Sequence, residues 1–216
     1  RVLFRSQMVA VTVRAGSKAE MALPDGTFVH LNAATNLEYD VNNSKQRLVK
    51  LSGEAFFDVA KNPDCPFKVI INDLQIEVVG TSFNVKTYKK DIVETSLLSG
   101  RIRISGGSLP HEYTLSPGQK ATYSAMDRTL RISKADAHVE AGWRDNYLIF
   151  ESTPLIDVIA QIERWYGVEI RLHHKQIAQD LLSGSFRNES IQNVIRSLSI
   201  QYGFKYEIHK DIITIY

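Results

Sequence analysis

Few residues in this chain are arranged for covalent or metal chemistry, and Gly80-Thr81 is the pair that most invites it. The segment VVGTSFNVKTY (78–88) places a Gly–Thr bond between two apolar runs. A strained peptide ahead of a hydroxyl residue can undergo an N-to-O acyl shift. Thr81 Oγ attacks the Gly80 carbonyl carbon, the C–N bond breaks as the nitrogen takes a proton, and water hydrolyses the ester. A bulge or tight bend accounts for the glycine equally well. His173-His174 suggests a metal pair, but neighbours on a strand point to opposite faces, so solvated loop histidines are the plainer reading. Asp136, His138 and Glu140 alternate and could share one strand face, read as the exposed polar face of an interdomain linker. Asp25 and Asp58 have no identifiable carboxylate partner. Cys65 sits between Asp64 and Pro66 with no helix N-terminus to activate its thiol. As the single cysteine it allows no internal disulfide and no cysteine-based zinc site. Motifs for a nucleophile elbow, a phosphate loop, a dinucleotide fingerprint and a zinc protease are all missing. The expectation is a chain that is not an enzyme, apart from a single-turnover self-cleavage at Gly80-Thr81, and that takes no cofactor and no metal.

The elements that position these residues are mostly strands. From Met8 to about Ala135, short alternating runs follow one another at 9–16, 27–32, 36–41, 47–51, 55–60, 67–71, 74–79, 82–88 and 101–105. Turn signals separate them: Pro24-Asp25-Gly26, Asn42-Asn43-Ser44, Asn62-Pro63-Asp64, Lys89-Lys90-Asp91, Gly106-Gly107 and Ser116-Pro117-Gly118. Many short strands so spaced predict an all-β domain, residues 1–135, of sandwich-like or β-solenoid type. Leu51-Ser52-Gly53 and Leu98-Ser99-Gly100 each close one strand and open another, a faint echo that stacked hairpins or chance would give.

Near Asp136 the pattern changes. Thr153-Pro154 reads as a helix start, with Thr as N-cap and Pro at the first helical position. Leu155, Val158, Ile159, Ile162 and Tyr166 then recur at helical spacing until Gly167. The same face returns as Ile191, Val194, Ile195, Leu198 and Tyr202-Gly203 after the N-cap candidate Ser190, at a constant offset (191 − 155 = 36). Strands are expected at 168–172, 181–186, 204–208 and 212–216. Residues 136–216 thus form a small α+β domain of β-α-β-β-α-β-β order, both helices lying on one small sheet. Its last strand, Ile212, Ile213, Thr214, Ile215 and Tyr216, is apolar and sits at the chain end, so it is the candidate edge for a partner strand.

Composition narrows the class. Hydrophobic residues make up 44% and charged residues 23%, enough apolar material for a core in a globular chain. The net charge of +2 leaves no electrostatic footprint for nucleic acid. No run of about 18 apolar residues spans a membrane, and Arg1–Ala10 lacks a signal peptide's design. Starting at Arg1, the chain is expected to be a piece of something longer.

Against this background the chain resembles a known family. LPDGTFVHLNAATNLEYD (23–40), LSGEAFFDVAKNPDCPFKV (51–69), VVGTSFNVKTY (78–88), LLSGRIRI (97–104) and LSPGQKATY (115–123) look like the periplasmic domain of FecR-type anti-sigma factors. GWRDNYLIFESTPLIDVIAQIERWYGVEI (142–170) resembles the C-terminal domain fused to it in Bacteroidota, a module like the secretin/TonB short N-terminal domain. Cys65 departs from the family pattern. The resemblance implies the periplasmic part of an inner-membrane anti-sigma factor. Its sigma-factor-binding cytoplasmic region and membrane anchor would lie outside this chain, and it would be contacted by the N-terminal signalling domain of a TonB-dependent outer-membrane transducer. It also implies the self-cleavage role for Gly80 (attacked carbonyl) and Thr81 (nucleophile). A carbohydrate-binding or adhesive β-domain is the alternative, and exposed Trp or Tyr faces would favour it; of the two tryptophans, Trp165 lies beside an apolar helix face.

Overall fold

The computed structural model describes residues 8–40, 47–173 and 175–216. The expected turn at Asn42-Asn43-Ser44 and His174 lie outside the described residues. The chain divides into two compact units, residues 1–13 with 18–141 and residues 14–17 with 142–216.

The larger unit is built from strands β1 (Met8–Val13), β2 (Ala19–Ala22), β3 (Phe28–Leu31), β4 (Thr35–Asp40), β5 (Arg47–Ser52), β6 (Glu54–Asp58) and β7 (Phe67–Ile71). It continues with β8 (Leu74–Val78), β9 (Ser82–Lys86), β10 (Ile92–Ser99), β11 (Ile102–Gly106), β12 (Tyr113–Leu115), β13 (Gln119–Ser124) and β14 (Thr129–Lys134). Two seven-stranded sheets result, ordered β1-β4-β5-β7-β8-β11-β12 and β14-β13-β10-β9-β6-β3-β2. Within each sheet the strands follow sequence order, so the chain adds to both layers in turn, as a solenoid does. The layers share one core, as in a sandwich: Val49, Val69 and Ile76 from the first, and Val29, Phe57 and Phe83 from the second. Phe57 spans the two, 5.8 Å from Phe67 and stacked 5.2 Å from Phe83. Because β6 lies in the opposite layer, β5 and β7 pair in parallel while every other described pair in this unit is antiparallel.

The two Leu-Ser-Gly tripeptides mark corresponding corners, where the chain leaves one sheet for the other. Gly53 (φ +116°) and Gly100 (φ +91°) have backbones that L side chains rarely adopt. A Cβ on Gly53 would also lie 2.6 Å from Thr35 Cα. The unit ends in a short helix, α1 (Ala137–Ala141). Asp136, His138 and Glu140 therefore do not share a strand face. Asp136 Oδ1 accepts from the His138 amide at 2.8 Å, an Asx turn that starts the helix instead.

The smaller unit contains β15 (Tyr147–Pro154), α2 (Leu155–Tyr166), β16 (Glu169–Leu172), β17 (Leu181–Arg187), α3 (Ile191–Tyr202), β18 (Tyr206–His209) and β19 (Ile212–Ile215), the expected β-α-β-β-α-β-β order. Leu155, Val158, Ile159 and Ile162 of α2 and Val194, Ile195 and Leu198 of α3 are buried in one core. Both helices stop at a left-handed glycine, Gly167 and Gly203. Ser190 caps α3 by accepting from the Asn193 amide. Thr153 does not cap α2: its hydroxyl turns back to the Glu151 carbonyl, and Pro154 holds the cap position. In place of one small sheet there are two, the pair β15-β17 and the three-stranded β16-β19-β18.

Candidate functional site

Gly80 and Thr81 lie in the short link between β8 and β9, and backbone packs on both sides of them. The Asn62 amide donates to the Val79 carbonyl at 2.7 Å and the Val59 amide to the Thr81 carbonyl at 3.0 Å. A Cβ on Gly80 would stand 2.9 Å from Lys61 Cα, so glycine is required here by close approach. On the other side, a Cβ on Gly100 would stand 2.7 Å from both the Gly80 carbonyl oxygen and Thr81 Oγ1. Thr81 is 3% exposed, and its hydroxyl donates to the Arg101 carbonyl at 3.1 Å. The two residues are thus brought together with hydroxyl and carbonyl facing the same neighbour. No titratable side chain is hydrogen-bonded to that hydroxyl among the described residues.

Arg47 fixes the 60–65 loop that runs beside this bond. It is buried at the start of β5, and its guanidinium donates to three carbonyls: Ala60 (2.6 Å), Asn62 (3.2 Å) and Cys65 (2.6 Å). Its fourth acceptor is Asp25 Oδ2 at 3.1 Å, a carboxylate that also accepts from the Thr27 amide and hydroxyl. The Pro24-Asp25-Gly26-Thr27 turn is therefore the anionic end of a buried hub. Arg47 falls on the same face of β5 as Val49 and Leu51, and that alternation, a cation in register with two buried apolar residues, is the signal in the sequence that marks it.

A second buried set centres on Glu54, which accepts from Asn32 Nδ2 (2.8 Å) and Asn84 Nδ2 (3.0 Å). On β13, Lys120 reaches Glu94 at 3.0 Å and Glu140 at 2.9 Å. Burial pulls the Lys120 ammonium down, but the two carboxylates outweigh it and hold it above the ordinary lysine value. Burial likewise pushes Glu94 up, and Lys120 with Lys86 and Lys89 outweighs this and holds it below the carboxylate range. No group of three metal-ligating side chains converges among the described residues. His173 instead stacks on Tyr216 at 5.9 Å.

The proposed edge at Ile212–Tyr216 is corrected by the sheet order. β19 is the central strand, parallel to β16 on one side and antiparallel to β18 on the other, so its backbone is already paired. Apolar character marked burial in the middle of a sheet. The edges of that sheet are β16 and β18.

Two family descriptions match the chain: FecR protein over residues 9–103 and FecR, C-terminal over residues 147–215. No curated protein matches it. Two crystal structures of a candidate anti-sigma factor from Parabacteroides distasonis ATCC 8503 are similar to it along almost their full length. The one at 2.50 Å resolution is 30% identical, with a TM-score of 0.87 over 97% of this chain and 99% of that one. The one at 1.65 Å is also 30% identical, with a TM-score of 0.86 over 96% and 98%. With both units matched in order and the whole fold shared, this chain belongs to the FecR-type family of anti-sigma factors.

Proposed function

We propose that this chain is the periplasmic, signal-receiving portion of a transmembrane anti-sigma factor. It relays substrate occupancy of a TonB-dependent outer-membrane transducer to an extracytoplasmic-function sigma factor, and its direct partner is the transducer's N-terminal signalling domain. The observation that carries this reading is the match of both units, in order, to a family of anti-sigma factors. The carbohydrate-binding alternative is weakened by the tryptophans: Trp143 is buried and Trp165 packs against the smaller unit's core. Co-purification with transducer signalling domains, run beside a glycan array, tests the choice. Retention of a signalling domain with no glycan signal is expected; the reverse would overturn the relay.

Gly80–Thr81 is the bond we assign to self-cleavage in this relay. Support comes from the backbone packing that fixes the peptide and from a hydroxyl that donates to the Arg101 carbonyl, with no described donor on its oxygen. Denaturing gels of the purified protein should show fragments ending at Gly80 and beginning at Thr81, absent in Thr81→Ala. A single intact band, unchanged by that substitution, would sink the assignment.

A further inference from the structure

The two edges of the three-stranded sheet in the smaller unit are not equivalent. They are related by the helix–strand repeat, in which Ile170 of β16 corresponds to Tyr206 of β18 (206 − 170 = 36) and Glu163 of α2 to Ser199 of α3 (199 − 163 = 36). On β16, Glu163 Oε1 accepts the Ile170 amide at 2.7 Å, which takes one of that edge's outward donors. On β18 the corresponding side chain does something else: Ser199 Oγ donates to the Phe204 carbonyl at 2.6 Å. The Tyr216 amide donates to the Lys205 carbonyl. Antiparallel alternation then turns Glu207 and His209 inward to β19 and leaves the amides and carbonyls of Tyr206 and Ile208 on the outer edge. The side chains of these two residues lie half-buried at the rim of the core, with Glu207 exposed on the opposite face.

We infer that β18 is a docking edge for an extended strand of another protein, with apolar residues opposite Tyr206 and Ile208 and a Lys or Arg opposite Glu207. A second copy of this chain fits poorly. The one two-fold register that fills both outward positions with β18's own residues pairs Tyr206 with Ile208 of the copy. It sets Glu207 directly against Glu207 of the copy, at the spacing where side chains lie closest. The centres one residue to either side run into Phe204, whose carbonyl is taken, or Lys210, whose φ of +53° ends the extended run. That the strand comes from a transducer signalling domain rests on the relay proposed above; the edge itself rests on the geometry.

The test titrates the full chain with two synthetic probes, an eight-residue peptide alternating valine and threonine with lysine at its central polar position, and its glutamate counterpart. Amide NMR shifts and slowed exchange are expected at Tyr206 and Ile208, with the lysine peptide preferred by about tenfold. Glu207→Lys should reverse that preference. Ile208→Pro removes an outward amide that the sheet does not use, so it should abolish binding while thermal unfolding is retained. Shifts at Ile170 instead, no shifts with either peptide, or a dimer of the chain that dissociates on Ile208→Pro would each overturn the inference. Transducer signalling domains assayed in parallel separate the two readings. A domain that binds wild type and Ile208→Pro alike leaves the relay standing without this edge. Peptide binding with no domain bound leaves the edge without the relay.

Discussion

All ten buried polar or charged side chains among the described residues (Thr27, Asn32, Thr35, Arg47, Glu54, Thr81, Asn84, Thr95, Ser96 and Ser124) belong to the larger unit; in the smaller unit every described buried side chain is hydrophobic. The larger unit joins strands far apart in sequence, and its polar hubs tie the same distant segments: Arg47 to the turn at Asp25, Glu54 to Asn84. A slipped register would leave those groups unpaired in the interior, so they exclude the two-residue slips that alternation alone permits. In the smaller unit the comparable ties are made by main chain: the Leu155 and Ile156 amides at the start of α2 donate to the Asp180 and Ala178 carbonyls, and both helices stop at a glycine. Its unspent polar groups are main-chain ones on a sheet edge.

The hardest way to break the contrast is at Arg47. Arg47→Ala leaves Asp25 and three loop carbonyls without their buried donor and should cost about 3–5 kcal/mol, read by guanidinium unfolding. Arg47→Lys should recover only part, since one ammonium cannot reach four acceptors in the planar fork's geometry. A loss below about 1 kcal/mol would mean that water reaches the hub and that the larger unit is not closed in this sense.

Glycine corners give the next test. A Cβ on Gly118 (φ +79°) would meet nothing within 4 Å, so Gly118→Ala should cost only the backbone penalty, about 1–2 kcal/mol. Gly100 adds a collision with the Gly80 carbonyl and Thr81 Oγ1, and Gly100→Ala should lose about 1–3 kcal/mol more. Equal losses in unfolding midpoints would show that the Gly80–Thr81 link is free to shift.

These positions also show what could be read without coordinates. Alternation bounded by turn residues located the strand at 67–71 to the residue. The eight-residue β10 escaped it because Leu97 and Leu98 break the period, and the pairing of β10 with β9 shifts register between Leu97 and Ser99. Helical spacing, the 36-residue repeat and the glycine stops found both long helices. Lateral strand order has no period at all, which is why an apolar terminal strand passed for an edge when it is the centre of its sheet. Arg47 was hidden for a related reason: three of its four acceptors are carbonyls, which no residue type announces.

Lys120 offers a smaller effect with a pH signature. Lys120→Met should cost about 2 kcal/mol near neutrality, by leaving Glu94 and Glu140 without their shared donor. Lys120 is held above its ordinary 10.5, so its contribution is complete below that value and fades as pH rises through the raised one. Glu94 is held below its ordinary 4.5, so its contribution is complete above that value and is lost as pH falls through the lowered one. The wild-type advantage over Lys120→Met should therefore be flat between these limits and shrink in strong acid. An advantage that instead peaks near pH 7 would point to a histidine, against this assignment.

The smallest effect separates two helix starts that look alike in sequence. Ser190 accepts the Asn193 amide at 3.2 Å, so Ser190→Ala should cost about 1 kcal/mol. Thr153 precedes its helix by one residue more, and its hydroxyl donates to the Glu151 carbonyl in an exposed bend. Thr153→Ala removes no cap and should change the unfolding free energy by less than about 0.5 kcal/mol. Main-chain acceptors explain the difference: at α2 the Leu155 and Ile156 amides donate to the Asp180 and Ala178 carbonyls at 2.8 and 2.9 Å, so its first turn does without the acceptor that Ser190 supplies at α3. If the two substitutions cost the same, the helices of the smaller unit are held by their apolar faces alone, and closure of helix ends without buried polar side chains would not be what distinguishes it from the larger unit.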